Sequence, residues 1–367
     1  MQITILHIST GMSFRGGDSQ MLTTVELLKD LSDQQHHVFC AQGSIIEQKC
    51  IEKNIAYTSV KRGRKFSISY MKSIVKTAKK LNVTAIHAHD SNSQTMSLWA
   101  IRSLKNTKLI FSRKRNNRIG SSFFKKLKYN SNKIDHIVCV SNAVKSVLLP
   151  AVKDHSKIKV IYDGIDVDRF TQESQSDYLH KELGLSPKVK IIGNIAGLVP
   201  QKDLFTFIRA IKSFNEKSDI PVKFVIAGDG PLRDELVAFA EAENVSQHII
   251  FLGFRTDIPE LLQSFDVFML SSKTEGLPLV VMEAFAAKTP VVATDAGGTN
   301  EAVKNNENGF IVPIEDADAL ATRTLEIIEN TELAAQFTER SSRLVHEQFT
   351  LKVMQENYKN FYRSLLN

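Results

Sequence analysis

The chain has 367 residues, a formal net charge of +7, 43% hydrophobic residues and 24% charged residues. This length favours two domains of about 100–200 residues each, and the composition is that of an ordinary globular protein. Three unpatterned cysteines argue against a disulfide framework or a zinc site, and no apolar run approaches the ~18 residues that a membrane-spanning helix needs.

The first segment, MQITILHI, has the pattern of a buried strand and lacks the basic region, apolar core and cleavage site of a signal peptide. We therefore expect the protein to be made and kept in the cytoplasm. Its positive charge favours anionic partners, namely nucleotide diphosphates, an anionic membrane face or nucleic acid.

Val- and Ile-rich segments alternate with amphipathic segments through the first half of the chain. The predicted strands are 3–8, 37–40, 85–89, 108–112 and 136–140, and helical patterns cover 19–31 and 69–81. This alternation is typical of β-α units that form a parallel sheet.

A turn-rich segment at 162–170 and a polar linker at 171–180 interrupt this pattern, which then restarts. The second set of predicted strands is 189–193, 223–227, 249–252, 267–270 and 291–294, and the predicted helices are 203–214, 232–243, 278–287 and 317–328. We predict an α/β protein with two doubly wound, Rossmann-like domains, residues 1–165 and 166–349. The final helix, within 350–367, is expected to pack back on the first domain, and the ligand is expected in a cleft between the domains.

The densest functional signal is the segment 271–284, SSKTEGLPLVVMEA, which follows a predicted strand and enters a helix. Gly276 lets backbone approach a ligand, and Pro278 suits the first turn of the helix. The free N–H groups of Leu277, Leu279 and Val280 would then form an anion-binding helix end.

Two glutamates bracket this helix start. Glu275 would lie in the loop at the ligand, and Glu283 would lie about two turns into the helix, where a carboxylate can accept hydrogen bonds from vicinal hydroxyls. The alternative is that both are simply acids placed favourably near a helix N-terminus.

The segment resembles the Glu-x7-Glu motif of family-four glycosyltransferases, which adopt the GT-B fold, two Rossmann-like domains facing across a cleft. The resemblance extends over most of the chain through an ordered series of loops at 16–17, 160–166, 197–203, 226–232, 251–255 and 295–301. It implies that Glu283 binds the ribose hydroxyls of the donor and that Glu275 contacts the transferring sugar.

The resemblance also assigns the phosphate contacts. Gly276, Leu277 and Leu279 would give backbone N–H groups to sugar and phosphate, and Lys202 is similar to the lysine that holds the diphosphate. A fixed ammonium there would stabilise the charge that develops on the departing nucleoside diphosphate.

Further donor-binding candidates lie in three glycine-containing loops. Gly16 and Gly17 follow the first strand, where the absence of a Cβ lets backbone approach phosphate, although such a pair is often only a turn. Gly228 and Arg255 lie in two later strand-end loops that resemble the family. The nucleotide diphosphate-sugar would be a co-substrate, and we expect neither a cofactor nor a metal.

The chain departs from the family at two positions. Gly197 stands where an arginine usually precedes the phosphate lysine, and the stretch 109–115, LIFSRKR, stands where a strand often ends in a histidine. One hypothesis is that Arg113 or Arg115 replaces the missing arginine, because a guanidinium binds phosphate oxygens bidentately. The alternative is a solvated basic loop.

His89 and Asp90 end another predicted strand and are candidates for contact with the acceptor or the sugar. The alternative is that such a histidine is hydrogen-bonded at the rim of the core. If the family histidine is missing, the leaving phosphate can itself take the acceptor proton.

A basic, aromatic segment at 121–129, SSFFKKLKY, suits an interfacial helix on anionic lipid, or else a charged surface helix with inward aromatics. No recognised module supports binding to nucleic acid. We therefore expect cytoplasmic localisation, with peripheral attachment to the inner face of the plasma membrane.

The predicted function is a retaining, metal-independent glycosyltransferase of the hexosyltransferase type. It would move a sugar from a nucleotide diphosphate-sugar to a hydroxyl of a glycan or lipid-linked acceptor in bacterial surface polysaccharide synthesis. The alternatives are a non-catalytic nucleotide-sugar-binding protein and a GT-B enzyme of other chemistry, such as a sugar-nucleotide epimerase or a phosphorylase.

Overall fold

The computed structural model describes residues 2–12, 14, 16–61, 67–120, 123–172 and 177–366. The chain divides into two compact units, residues 1–163 with 351–367, and residues 164–350. The first observed boundary lies two residues before the predicted one at 165. Each unit contains its own parallel sheet.

The described strands of the first unit form a seven-stranded sheet in the order β3-β2-β1-β4-β5-β6-β7. The strands are β1 (Ile3–Ile8), β2 (Gln34–Ala41), β3 (Tyr57–Val60), β4 (Ala85–Ala88), β5 (Lys108–Arg113), β6 (His136–Cys139) and β7 (Ile158–Val160). Neighbouring strands are parallel, and the order reverses direction between β1 and β4. This is the strand order of a Rossmann-type sheet.

Helices alternate with these strands. They are α1 (Gly16–Leu28), α2 (Ile45–Glu52), α3 (Ile68–Lys80), α4 (Ser91–Ala100), α5 (Phe123–Tyr129) and α6 (Asn142–Leu148). Side-chain caps define several helix starts, because a hydroxyl or carboxylate there satisfies an otherwise unpaired backbone N–H. Ser44, Ser67, Asp90 and Ser141 cap α2, α3, α4 and α6.

The second unit repeats the pattern with a six-stranded parallel sheet in the order β10-β9-β8-β11-β12-β13. Its strands are β8 (Lys190–Ile195), β9 (Val222–Ala227), β10 (Ile249–Gly253), β11 (Val267–Leu270), β12 (Val291–Thr294) and β13 (Phe310–Val312). Its helices are α7 (Asp168–Thr171), α8 (Tyr178–Leu183), α9 (Leu204–Lys217), α10 (Arg233–Ala242), α11 (Ile258–Ser264), α12 (Leu279–Ala286), α13 (Thr299–Ala302), α14 (Ala317–Glu329) and α15 (Thr331–Gln348).

The end of the chain returns to the first unit as α16 (Leu351–Arg363). Its buried face carries Met354, Tyr358, Phe361 and Tyr362, which pack with Ile3, Ile5, Leu28, Ala85, Ile110 and Val138. Because both faces of the sheet are covered, its central strands are buried along their whole length, as in other parallel sheets. Short 3-10 turns lie at Ile101–Ser103, His155–Lys157, Pro200–Lys202, Ser246–His248 and Ser364–Leu366.

The structure corrects three details of the sequence prediction. The predicted list lacks β3, β7 and β13, which lie at the edges of the two sheets. β3 is only partly buried along its length, and β7 and β13 have three residues each. The predicted linker 171–180 includes the start of α8, and its residues 173–176 lie outside the described part of the chain. Gly16 is the first residue of α1 and not part of a preceding loop. None of the described helices is long and apolar enough to cross a bilayer.

Candidate functional site

The strand order of the second sheet reverses between β8 and β11. In open parallel sheets, ligands bind beyond the carboxyl ends of the strands at such a reversal. The loops that follow these two strands meet there. The Ser271 hydroxyl donates to the Lys202 carbonyl at 3.1 Å, and the Lys273 N–H donates to the Gln201 carbonyl at 2.9 Å. These contacts bring Lys202 and Glu275 to the same edge of the sheet.

Glu275 is fixed through both its side chain and its backbone. Its carboxylate accepts from the Lys202 ammonium at 2.7 Å and from the Ser272 hydroxyl at 2.6 Å, and the residue is 9% exposed. Its N–H donates to the Ala296 carbonyl at 2.7 Å, and its carbonyl accepts from the Gly298 N–H at 3.1 Å. A buried carboxylate needs such partners. Sequence reasoning did not identify Ser272 as part of this site.

Two glycines allow these loops to pack backbone against backbone. A Cβ on Gly298 would lie 2.0 Å from the Gly276 carbonyl oxygen. Gly228 has a φ of +142°, and a Cβ there would lie 1.9 Å from the Ala196 carbonyl oxygen. Any other residue at these positions would push the loops apart. Glycine is therefore required at position 228 for the packing of these loops, in addition to its predicted role in donor binding.

Glu283 lies in α12, about one turn beyond the helix start at Leu279 and not the two turns that the sequence predicted. Burial raises the pKa of its carboxyl to about 7, and the positive charge of Arg169 opposes that shift. Among the described residues, the carboxyl has no hydrogen-bond partner. A desolvated carboxyl without a partner is typical of a ligand-binding position. Sequence reasoning missed Arg169, whose proximity depends on the contact between α7 and α12.

The predicted backbone donors lie between the two glutamates. Gly276, Leu277 and Leu279 are all partly exposed, and α12 begins at Leu279. The N–H groups in the first turn of a helix have no intrahelical partner and carry its positive dipole end. Within the described part of the chain, the Leu277 N–H has no acceptor. The loop therefore presents N–H groups suited to an anion.

Arg255 differs from the other predicted donor residues because its guanidinium is already paired. It donates to both Glu182 oxygens, at 2.6 and 2.9 Å, and it also pairs with both Asp257 oxygens and the Tyr178 hydroxyl. The hydrogen bonds to Asp257 and Glu182 raise the Arg255 pKa further. These bonds connect the loop after β10 to α8. Contact of Arg255 with the donor stays a prediction.

In the first unit, the strand order reverses between β1 and β4, and four predicted residues lie near the carboxyl ends of these strands. Gly16 and Gly17 begin α1. Among the described residues, a Cβ on Gly16 would meet nothing within 4 Å, whereas one on Gly17 would lie 3.4 Å from the Lys114 side chain. The described residues thus leave open space beside Gly16.

The carboxylate of Asp90 is fully used by the protein. It accepts from the Thr10 N–H at 2.7 Å and the Thr10 hydroxyl at 3.1 Å, and it caps α4 by accepting from the N–H groups of Asn92 and Ser93. This arrangement clamps the loop after β1 to the start of α4. Asp90 therefore acts in this structure as a positioning residue, and direct contact with substrate remains untested.

His89 belongs to a buried group of histidines that the sequence analysis did not assemble. His7 bonds His89 at 3.1 Å and His36 at 3.0 Å, while His87 bonds the Tyr362 hydroxyl at 2.8 Å. Burial lowers the pKa of all four imidazoles, to about 4 for His36 and about 3 for His87. The sequence feature that could have revealed this group is the recurrence of histidine within otherwise apolar strands.

Three of these histidines are close enough to share an ion. In His7, His87 and His89, one possible ligand atom from each lies within 4.8 Å of the others, and the described residues contain no other such group. The group has no carboxylate, and the Lys114 charge disfavours a cation beside His87 and His89. The expectation that the protein holds no metal stays a prediction.

The three basic side chains after β5 are placed differently from what the sequence hypothesis required. Arg113 bonds the carbonyl and side-chain oxygens of Asn117, and Arg115 is exposed. Lys114 instead turns inward and bonds both Asp163 oxygens at 3.1 Å, with side chains only 15% and 7% exposed. Sequence reasoning missed this pair. Replacement of the family arginine by Arg113 or Arg115 is untested.

Helix α5 carries the exposed residues Lys125, Lys126 and Leu127, the last 59% exposed. Lys128 turns inward, 5.8 Å from the centre of the Phe111 ring, and burial lowers its pKa to about 8. Residues 121 and 122 of the predicted membrane-facing segment lie outside the described residues.

Each unit thus has a Rossmann-type sheet with polar groups gathered at the strand-order reversal. Two such units in one chain are the GT-B architecture, so the predicted fold class is confirmed. The model of the family described as Glycosyltransferase Family 4 matches residues 22–169, and that of Glycosyl transferases group 1 matches residues 175–343. The chain belongs to the family-four glycosyltransferases, as its motifs indicated.

Known proteins are similar to this chain over different extents. The UDP-Gal:alpha-D-GlcNAc-diphosphoundecaprenol alpha-1,3-galactosyltransferase of Escherichia coli is 32% identical over 198 residues, which are 53% of this chain and 51% of that protein. The chain spans between 47% and 62% of the lengths of three such relatives.

Two solved structures show the same fold over essentially the whole chain. A glycosyltransferase from Rickettsia africae ESF-5 has a TM-score of 0.87 at 22% identity, covering 100% of this chain and 99% of that one. Anabaena Alr3699/HepE, solved with UDP and glucose, has a TM-score of 0.86 at 20% identity, covering 99% and 100% of the two chains.

Proposed function

We propose that this protein is a retaining glycosyltransferase that moves a sugar from a nucleotide diphosphate-sugar to a hydroxyl of a glycan or lipid-linked acceptor, in the synthesis of a bacterial surface polysaccharide. The observation that carries the proposal is the joint placement of Lys202 and Glu275 at the strand-order reversal, with Glu283 unpaired in the following helix. The galactosyltransferase relative and the UDP and glucose held by HepE support the choice of donor.

The residues suggest a division of labour around the donor. Glu283, once ionised, accepts hydrogen bonds from the ribose hydroxyls, and the N–H groups of Gly276, Leu277 and Leu279 meet sugar and phosphate oxygens. Lys202 leaves Glu275 for the diphosphate, which frees that carboxylate for the sugar. Negative charge builds on the leaving diphosphate as the glycosidic bond breaks. The Lys202 ammonium therefore stabilises the transition state more than the bound substrate.

The reaction needs no group beyond the two substrates. The bond between the anomeric carbon and the leaving phosphate oxygen breaks, and a bond to the acceptor oxygen forms on the same face. The acceptor proton passes to the leaving phosphate. The family histidine is then unnecessary, and charge neutralisation by Lys202 replaces a metal ion.

Lys202→Ala tests this assignment, with Lys212→Ala as the control. Lys212 is an exposed lysine of the same unit, and among the described residues its ion pair is with Glu243. Release of nucleoside diphosphate from a panel of sugar nucleotides is measured with purified full-length protein. We expect the Lys202 variant to lose at least about tenfold in kcat/KM and the control to keep wild-type activity.

The same panel separates the alternative functions. Thermal stabilisation by a sugar nucleotide without turnover would indicate a binding protein, and epimerisation of the donor without acceptor would indicate an epimerase. If no nucleotide or sugar nucleotide raises the melting temperature, the proposed donor site is wrong.

We place the protein in the cytoplasm, peripherally attached to the inner face of the plasma membrane. The support is helix α5, which exposes Lys125, Lys126 and Leu127 together. Cosedimentation with vesicles that contain anionic lipid should decrease in the double variant Lys125→Glu/Lys126→Glu, and high salt should weaken it. Failure of the wild-type protein to bind such vesicles at low salt contradicts the attachment.

A further inference from the structure

The middle of the first unit carries a large excess of positive charge. Between residues 67 and 153, lysine and arginine occur 17 times, whereas Asp90 and Asp135 are the only acidic residues. Both carboxylates are already engaged, because Asp90 caps α4 and Asp135 pairs with Lys108 and accepts from the Leu109 N–H at 2.8 Å. Two carboxylates cannot balance this many cations, so this part of the unit attracts anionic partners.

Helix α3 presents part of the charge as a regular row. Lys72, Lys76 and Lys80 are spaced by four residues, so they share one face of the helix at intervals of about 6 Å, and Lys79 lies beside them. All four are exposed, the helix contains no acidic residue, and within the described part of the chain none of the four has an ion pair. Like charges at this spacing repel and destabilise a helix. An anionic ligand would offset that cost.

The lysine row leads away from the edge of the sheet where ligands bind. Helix α3 connects the parallel strands β3 and β4, so it begins at the carboxyl edge and ends at the amino edge. Its 13 residues span about 20 Å. At the far end, the exposed Arg102 and Lys105 follow α4, which packs against α3. A polymer whose reacting end lies at the carboxyl edge would therefore meet positive charge along this path.

The exposed face of α3 differs from that of an interfacial membrane helix. Such helices combine cations with large exposed apolar side chains, as α5 does with Leu127. In α3, Ile68 at the helix start is exposed, but Tyr70, Met71 and Ile74 are buried, and the exposed residues beyond Ile68 are serine and lysine. The lysine row therefore favours a water-soluble polyanion over a lipid surface.

We infer that the lysine row of α3 binds an anionic polymer that forms the non-reacting part of the acceptor, so that the acceptor is a charged glycan and not a neutral one. The inference rests on the proposed function, because it assigns the polymer to the acceptor of that reaction. Since the contacts join charges that remain in water, they contribute affinity that decreases strongly with salt concentration.

Fluorescence anisotropy with a labelled oligomer of about ten glycerol phosphate units tests the binding surface. The α3 variant is Lys72→Gln/Lys76→Gln/Lys80→Gln. The control variant removes the same charge from three exposed lysines elsewhere in the first unit, Lys133→Gln/Lys153→Gln/Lys159→Gln. At low salt, we expect the α3 variant to bind at least about tenfold more weakly than wild type and the slope of log affinity against log salt to become shallower by about 2. The control variant should stay within about threefold of wild type.

Three results would overturn the inference. The first is failure of the wild-type protein to bind the oligomer at low salt, and the second is equal weakening in the two variants, which would show a general effect of net charge. The third is an α3 variant that keeps the oligomer but no longer cosediments with phosphatidylglycerol vesicles, which would assign the lysine row to a membrane. We expect the α3 variant to keep its vesicle binding.

Kinetics connect the surface to the acceptor. With the sugar nucleotide and the acceptor that the wild-type protein turns over, the glycerol phosphate oligomer should raise the KM for the acceptor and leave the KM for the sugar nucleotide unchanged. The α3 variant should resist this inhibition. Competition with the sugar nucleotide, or equal inhibition of the α3 and control variants, contradicts the inference. Absence of sugar-nucleotide binding refutes the proposed function instead, whatever the oligomer does.

Discussion

Acidification from pH 7 to pH 5 should strongly destabilise the first unit, because its buried histidines are neutral when folded and become protonated when unfolded. Burial lowers the pKa of His36 to about 4 and that of His87 to about 3. A histidine with a lowered folded pKa stabilises the native state above the unfolded pKa of about 6.5 and loses that contribution as the pH falls below it.

The two pKa values determine the size of the effect. At pH 5 both imidazoles are still largely unprotonated in the folded protein, whereas an unfolded histidine is almost fully protonated. Each group therefore removes about 2 kcal/mol between pH 7 and pH 5, or about 4 kcal/mol for the pair. His7 and His89 shift in the same direction and add to this loss. Such a change is comparable to the whole stability of many domains.

Trp99 is the single tryptophan of the chain and lies in α4, so its fluorescence reports unfolding of the first unit. Urea unfolding at pH 7, 6 and 5 gives the free energy at each pH. His36→Asn should be less stable at pH 7, and its loss between pH 7 and pH 5 should be about 2 kcal/mol smaller than that of the wild type. His155→Gln should leave the wild-type profile unchanged. A wild-type decrease below about 1 kcal/mol would refute the reasoning.

Three further predictions concern the second unit and the ion pairs. Because burial raises the Glu283 pKa to about 7, affinity for a nucleoside diphosphate should rise from pH 6 to pH 8, and Glu283→Gln should abolish that rise, as calorimetric titration will report. Gly228→Ala should destabilise the protein by more than about 2 kcal/mol, whereas Gly197→Ala, with only a 3.9 Å contact, should not. Lys114→Met should cost about 3 kcal/mol in urea unfolding, and Lys202→Met should cost clearly less.

A different result would contradict each of these three predictions. A pH-independent affinity in the wild-type protein would remove Glu283 from the donor site. Equal stability of the two alanine variants would mean that the loop after β9 moves freely away from its neighbour. Equal costs for the two lysine variants would show that Lys202 is as structural as Lys114.

Local patterns in the sequence predicted most of the fold and much of the donor site. Val- and Ile-rich runs located the central strands because these strands are buried on both faces. The segment 271–284 was informative because its loop glycine, helix start and two carboxylates are contiguous. The edge strands β3, β7 and β13 were not predicted, because β3 is only partly buried along its length and β7 and β13 have only three residues each.

What the sequence did not show depends on contacts between distant residues. The Lys114–Asp163 pair joins residues 49 positions apart, and the hydrogen-bonded histidines His36, His7 and His89 come from β2, β1 and the residue after β4. Nothing in the order of the residues says that Lys114, rather than either neighbouring arginine, turns inward. Likewise, the raised pKa of Glu283 is a consequence of its burial, which no spacing rule supplies.

Both units hold a lysine against a carboxylate near the reversal of their sheets, yet the two pairs differ in what remains when the lysine leaves. Glu275 keeps the Ser272 hydroxyl at 2.6 Å, so a diphosphate can take Lys202 without leaving that carboxylate bare. The described residues offer Asp163 no hydrogen bond other than those from Lys114. Loss of one partner from a buried pair costs several kcal/mol when the other is left unpaired. The second-unit pair can therefore exchange partners with a ligand, and the first-unit pair holds its loop in place.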